Sequence, residues 1–192
     1  YEVATLRRSA VVSRLSDGRE FRLGESVVAD GHLYIKLEGR GEGDVPPVLK
    51  VNLATGATVE AEIIGGSESY ARPTVHDGKV YAPWDGAIHV FDAETLRRVG
   101  QIDVESAQSV AFTEGRMVAT GASVVEVDPE TLQVLGAWGP PSIYLSRVTS
   151  TSAGIVASVS QPSLIAPSVM ASGVIALTPD GFHDYLLWLK DG

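Results

Sequence analysis

Residues 76–95 have the sequence HDGKVYAPWDGAIHVFDAET, in which two short apolar runs each follow the pair Asp-Gly. The runs are rich in Val, Ile, Tyr and Phe, residue types that favour β-strands. Glycine adopts without steric cost the positive φ that a tight turn requires, and the preceding aspartate can hydrogen-bond the turn backbone. The stretch therefore predicts successive strands joined by tight turns and ending in the turn Asp-Ala-Glu-Thr.

Related stretches occur along the whole chain. The final turn recurs in variants aligned at Asp17, Thr55, Thr95, Thr131 and Asp180. A second unit, glycine followed by alternating apolar residues, begins at Gly31, Gly78, Gly115 and Gly154. Each unit recurs about every 40 residues and predicts a hairpin, so one repeat contains four strands. No window shows a convincing helical period of apolar residues, which predicts very little helix.

Four-stranded units of this length, arranged radially, are the blades of a β-propeller. We therefore predict an all-β protein forming a single propeller domain over residues 1–192. The predicted parts are a partial N-terminal blade at 1–25 and full blades at 26–64, 70–104, 107–138 and 143–189. A β-sandwich is the main alternative, but it gives no reason for one turn sequence to recur at a near-constant period.

The partial blade cannot be stable by itself, because an isolated hairpin is marginal in water. We expect its last strand at residues 19–23, and we expect the segment to close the ring between the first and last full blades. Val11, Val12 and Leu15 should then be buried.

The stretch 76–95 resembles the repeats of PQQ-like and YVTN-type β-propellers, where Asp-Gly pairs and apolar strands precede Asp-x-x-Thr-Gly. Residues 128–131 and 52–56 match the end of that pattern. The resemblance implies a propeller fold. Quinone chemistry is not carried over, because the Trp that ends most blades of quinoprotein dehydrogenases has counterparts only at Trp138 and Trp188, and the chain is too short to enclose that cofactor.

Composition excludes several functional classes. The 192 residues include 15 Lys plus Arg and 24 Asp plus Glu, and a net charge of -9 argues against nucleic acid or anionic lipid as a partner. Cysteine is absent, which excludes disulfides and thiolate chemistry. No apolar run is long enough to span a membrane as a helix, although the apolar fraction of 44% suffices for a core.

No catalytic residue, metal site or cofactor is predicted. The histidines share no metal-ligand spacing, and neither a Gly-x-Ser-x-Gly motif nor a phosphate-binding loop is present. His89 alternates with Ile88 and Val90 on a predicted strand, which indicates a position on the surface or between blades rather than a catalytic base.

Three segments are candidates for binding. The loop 38–47 carries Glu38, Glu42 and Asp44 among glycines; carboxylates can ligate Ca²⁺, but the spacing matches no calcium loop, so we interpret it as a polar loop. Trp84 follows a strand and would be a ligand platform if exposed. The interpretation we favour is that it is buried between blades.

The third segment is residues 160–173, predicted to be a long loop in the last blade. Its apolar residues are Leu164, Ile165, Val169 and Met170. Long loops in a compact repeat array are where binding commonly occurs, and exposed apolar residues there would form a partner-binding patch. The alternative is that the loop folds over the end of the ring and buries itself.

These observations favour a non-catalytic propeller module that presents a loop-rich face to a protein partner or to copies of itself. One alternative is a fragment or subunit of a quinoprotein-like dehydrogenase or another propeller enzyme. Another is a structural subunit of a larger extracellular assembly. We predict an extracellular or cell-surface location, with the cytoplasm also compatible with the sequence.

Overall fold

The structure is a computed structural model. It describes Leu15, Gly18 and residues 21–39, 46–64, 72–113, 115–138, 144–151, 154–162, 170–178 and 181–185. Within these ranges the regular secondary structure consists of β-strands only. The strands form four antiparallel four-stranded sheets in which neighbours follow chain order. The predicted all-β fold built of four-stranded antiparallel units is confirmed.

The strands have the following bounds. The first sheet consists of β1 (Phe21–Ala29), β2 (His32–Gly39), β3 (Val48–Asn52) and β4 (Thr58–Glu60). The second consists of β5 (Thr74–His76), β6 (Lys79–Trp84), β7 (Ala87–Asp92) and β8 (Arg98–Asp103). The third consists of β9 (Ser109–Thr113), β10 (Arg116–Thr120), β11 (Val124–Val127) and β12 (Val134–Trp138). The fourth consists of β13 (Tyr144–Thr151), β14 (Gly154–Pro162), β15 (Met170–Thr178) and β16 (Gly181–Tyr185).

The repeated turn sequences form the turns that their residues favour. At Asp77 and Gly78 both φ angles are positive, 46° and 68°, which is the type I′ geometry that matches the twist of a hairpin. The side-chain oxygens of Asn52, Asp92 and Asp128 accept hydrogen bonds of 2.8 to 3.0 Å from backbone N–H groups two or three residues ahead. The recurring turn is therefore an Asx turn that returns the third strand into the fourth.

The sheets pack against one another in chain order through apolar side chains. Buried residues joining the first sheet to the second include Tyr34, Val48, Val80, Phe91 and Leu96. Those joining the second to the third include Tyr81, Ile88, Val90, Met117 and Val127. Between the third and fourth sheets, the backbone N–H of Val148 donates a 3.0 Å hydrogen bond to the Ser109 hydroxyl.

The first strand is longer than the sequence predicts. Phe21 pairs with Gly39 and Leu23 pairs with Leu37, so these residues belong to β1 of the first sheet. The prediction that 19–23 form the last strand of a preceding blade is wrong for residues 21–23. The polar residues Gly24 and Glu25 interrupt the apolar pattern, but the register shift between Leu23 and Ser26 is a bulge inside one strand.

Leu15 covers the face of the first sheet that points away from the second. It is 4% exposed and packs in one cluster with Ile35, Leu37, Leu49, Val51 and Trp84. The predicted burial of Leu15 is confirmed, whereas Val11 and Val12 lie outside the described residues. Closure of the ring by the N-terminal segment stays a prediction.

Candidate functional site

One end of the sheets collects the connections that vary in length. In an antiparallel sheet that follows chain order, the link between the second and third strands lies at the end where the first strand begins and the fourth finishes. We call this the loop end. Its links are residues 40–47 in the first sheet, 85–86 in the second, 121–123 in the third and 163–169 in the fourth.

The loop of the fourth sheet is shorter than predicted. Strand β14 continues to Pro162, which pairs with Met170, and Gln161 pairs with Ala171. Residues 160–162 and 170–173 therefore belong to strands, because backbone pairing continues beyond the last apolar alternation of the sequence. Met170 is the first residue of β15. The other apolar candidates, Leu164, Ile165 and Val169, lie outside the described residues.

The acidic loop of the first sheet begins later than predicted, because Glu38 belongs to strand β2. Glu38 is half-buried in β2, where it pairs with Arg22, and is not part of a free loop. Glu42 and Asp44 lie outside the described residues. The chain re-enters the described part at Pro46 and Pro47, which are buried, and the Pro47 carbonyl accepts a 3.3 Å hydrogen bond from the Leu37 N–H.

Trp84 is a structural residue at the loop end. Its side chain is 2% exposed, and its indole N–H donates a 3.2 Å hydrogen bond to the Ile64 carbonyl of the segment after β4. The Lys36 ammonium lies 5.7 Å from the indole ring centroid, and Lys36 is itself 2% exposed. Burial between sheets is confirmed. The alternative interpretation of Trp84 as an exposed ligand platform is wrong, because no face of its ring is open to solvent.

His89 lies between the first two sheets, as one of the two sequence interpretations expected. It is 4% exposed, on a strand whose first five residues are all buried. Burial, followed by the Arg98 guanidinium, lowers the pKa of the His89 imidazole. A neutral imidazole without a substrate-accessible nitrogen cannot act as a general base.

Two lysines that the sequence analysis did not single out join neighbouring sheets. The Lys50 ammonium donates hydrogen bonds of 2.8 and 3.2 Å to the carbonyls of Ala93 and Glu94 in the Asx turn of the second sheet. The Lys79 ammonium donates a 3.2 Å hydrogen bond to the Pro129 carbonyl in the equivalent turn of the third sheet. The available signal was a charge inside the apolar run 48–52, which is unusual for a buried strand.

A shallow surface cavity of about 270 Å³ lies on the third sheet. It is lined by Gly115, Arg116, Glu126, Val127, Asp128, Pro129, Glu130 and Leu135. Arg116 makes a two-pronged pair with Glu126, with N–O distances of 2.7 and 3.0 Å. The pair raises the pKa of Arg116 and lowers that of Glu126. Each charged side chain is therefore stabilised by the other.

Tyr81 is a further buried titratable group. Burial, followed by the negative charge of Asp77, raises the pKa of Tyr81 to about 12, so its hydroxyl stays protonated at neutral pH. Among the described residues, no three His, Asp or Glu side chains are placed to hold a metal ion. The described part of the chain contains no helix that could span a membrane.

Comparison with known proteins identifies the fold. No protein-family model matches the chain, and no curated protein matches it in sequence. Similar solved structures include the hydrazine synthase of Kuenenia stuttgartiensis, with a TM-score of 0.68 and 18% identity over 88% of this chain and 55% of that chain.

Two further structures are similar. The computationally designed protein Ika8 aligns with a TM-score of 0.61 and 16% identity over 88% of this chain and 59% of that chain. BamB from Moraxella catarrhalis aligns with a TM-score of 0.52 and 15% identity over 83% of this chain and 59% of that chain. The chain thus spans less than two thirds of the length of these proteins, and its fold is that of a β-propeller.

Proposed function

We propose that this propeller is a non-catalytic module that binds a protein partner through its loop end. The observation that supports the proposal is that the longest links between strands of one sheet lie at that end. The links 85–86 and 121–123 are tight, whereas 40–47 and 163–169 are long. At the opposite end the links between first and second strands have two residues, and those between third and fourth strands have two to six. Variable loops on a rigid scaffold are typical of binding surfaces.

The two long loops differ in chemistry. The loop 163–169 contains Leu164, Ile165 and Val169, while the loop 40–47 contains Glu42 and Asp44 in a chain of net charge -9. The complementary partner is a protein with an apolar recess flanked by basic residues, because apolar contacts supply affinity and opposite charges speed association. We also propose that the repeats are of the PQQ-like or YVTN type, on the residues quoted above.

A second candidate is that the chain contributes blades to a larger ring. It is favoured by two of the similar structures, of which the chain spans 55% and 59%. Native mass spectrometry over a range of concentrations tests it: a monomer at all concentrations would exclude rings formed from several copies. The extracellular location stays a prediction.

Site-specific photocrosslinking tests the binding proposal. A photoreactive residue at position 42 or 164 should form a crosslink to a protein partner in cells that produce the chain. The same residue at Glu94 or Glu130, which are exposed at the opposite end, is the matched control. Replacing residues 164–169 by a Gly-Ser linker should remove the crosslink from position 42 while leaving the melting temperature unchanged.

Crosslinks of equal strength at Glu94 and Glu130 would overturn the proposal. Absence of any crosslink from both loops would overturn it as well. A large loss of thermal stability in the linker variant would show that the loop 163–169 is part of the core. The proposal that this loop binds a partner would then be wrong.

A further inference from the structure

His89 lies at the junction of the first two blades. It is the third residue of β7 and pairs with Ala82 of β6 and Gln101 of β8. Phe91, two residues ahead on the same face of the strand, packs in the apolar cluster that joins the first blade to the second. The imidazole is 4% exposed and therefore has almost no contact with water.

The two ring nitrogens of His89 have different surroundings. One forms a hydrogen bond with the backbone of Trp84, which fits an imidazole N–H donating to a carbonyl. Among the described residues, Nδ1 has no hydrogen-bond partner. The neutral ring with its proton on Nε2 suits this arrangement. A second proton would create a buried N–H without an acceptor, which is costly.

Charged groups surround the ring on several elements. Asp85 in the turn after β6 and Asp103 on β8 favour the protonated imidazole, whereas Arg98 on β8 opposes it. From the first blade, Glu62 contacts Arg98 at 3.2 Å. Burial, followed by Arg98, outweighs the two aspartates and lowers the pKa of His89.

The ring is linked to the first blade through Trp84. The Trp84 backbone bonds to His89, and its indole N–H donates to the Ile64 carbonyl, in the segment that follows β4 of the first blade. The Lys36 ammonium of β2 lies over the same indole. A change at the imidazole therefore acts on a residue that holds both blades together.

We propose that His89 makes the junction between the first and second blades acid-labile. Protonation places an N–H at Nδ1, which has no acceptor among the described residues, inside the packed junction, and the cost of that buried unpaired donor separates the first blade from the second. This goes beyond partner binding, since it describes a pH-dependent opening of the scaffold next to the loop end.

The direction of the pH dependence follows from linkage. The folded-state pKa of His89 lies below the unfolded value of about 6.5. The contribution of His89 to stability is therefore fully present above about pH 6.5 and is lost as the pH falls toward the folded-state pKa. In that window unfolding takes up a proton at His89, to an extent that grows with the difference between the two pKa values.

The variant His89→Gln tests the proposal. Glutamine keeps an N–H for the Trp84 carbonyl and cannot be protonated. At about pH 7.5 its melting temperature should lie near that of the wild type, and at about pH 5.5 its unfolding should take up fewer protons than that of the wild type. His76→Gln is the control, because the His76 side chain is exposed. Its ring stacks on Phe112 with 3.9 Å between the ring centroids. It should leave the order of amide exchange between β1–β8 and β9–β12 as in the wild type.

Equal proton uptake in the wild type and His89→Gln would overturn the proposal. If His89→Gln does not fold, imidazole NMR of the wild type decides. The ring should stay neutral, with its proton on Nε2, until amide exchange in β1–β8 accelerates ahead of that in β9–β12. A His89 ring that titrates near its ordinary pKa without a change in exchange would overturn the proposal.

Discussion

Gly121 occupies a position where two backbone segments approach closely. A Cβ atom there would overlap the Glu105 carbonyl oxygen and lie 2.9 Å from Val104 Cγ1. The same carbonyl accepts a 2.7 Å hydrogen bond from the Ala122 N–H, so it cannot move without losing that bond. We expect Gly121→Ala to lower the free energy of unfolding by about 1–3 kcal/mol, measured by denaturant titration.

Gly136 provides the matched control, because a Cβ there would meet no atom within 4 Å. Its φ is not positive, so alanine fits the backbone as well as the space. Gly136→Ala should change the free energy of unfolding by less than about 0.5 kcal/mol. Equal losses in the two variants would show that the close approach at Gly121 is not what destabilises the protein.

At single residues, the sequence predicts the turns that contain glycine but not the positive φ of two leucines. The Asp-Gly pairs have the positive φ values that glycine and aspartate favour. Leu96 and Leu132 also have positive φ, 52° and 60°, at the position that Gly56 occupies in the first blade. Local sequence could not predict this, because leucine disfavours that conformation and is held there by packing between blades.

At the scale of the strands, buried cations fix how one blade meets the next. The Lys50 ammonium bonds two carbonyls of the second blade and lies 5.9 Å from the Tyr34 ring centroid. Lys50→Met keeps the apolar stem, removes the ammonium donor from both carbonyls and leaves the Ala93 carbonyl with the Tyr34 hydroxyl at 3.2 Å. We expect it to lower the free energy of unfolding by about 1.5–3 kcal/mol in urea titration.

Lys79→Met is the comparison, because the Lys79 ammonium bonds a single carbonyl at 3.2 Å. Its cost should be smaller than that of Lys50→Met. A larger loss in Lys79→Met would contradict the idea that the number of bonded carbonyls decides the cost.

Strand boundaries show where sequence patterns are insufficient. Polar residues at 24–26 and at 160–161 resemble loop residues, yet both segments lie in paired strands. The period of apolar residues reports which side chains are buried, whereas strand pairing depends on backbone groups that every residue carries. Alternation left two positions open for His89, on the surface or between blades, and the burial of β7 on both faces decides for the second.

At the scale of the whole molecule, the propeller fold could be predicted from the sequence repeat. Ring closure could not be predicted in this way. Each blade repeats the same turns, so the period alone indicates four-stranded units that pack in series. Closure depends on contacts between distant segments that share no repeat. Leu15 provides a described contact of this kind from the N-terminal segment, on the outer face of the first blade.

Leu15 therefore tests whether the N-terminal segment is part of the folded scaffold. Leu15→Ala should lower the free energy of unfolding by about 2–5 kcal/mol, because the deleted methyl groups fill a cluster with the fully buried Leu37 and Leu49. Leu53→Ala is the control, since Leu53 is 44% exposed, and it should cost less than about 0.5 kcal/mol. Deleting residues 1–18, which spares β1, should expose the same face and cause concentration-dependent association in light scattering. A monomeric truncated chain with an unchanged melting temperature would show that the first blade is stable without this segment, and the closing-blade prediction would be wrong.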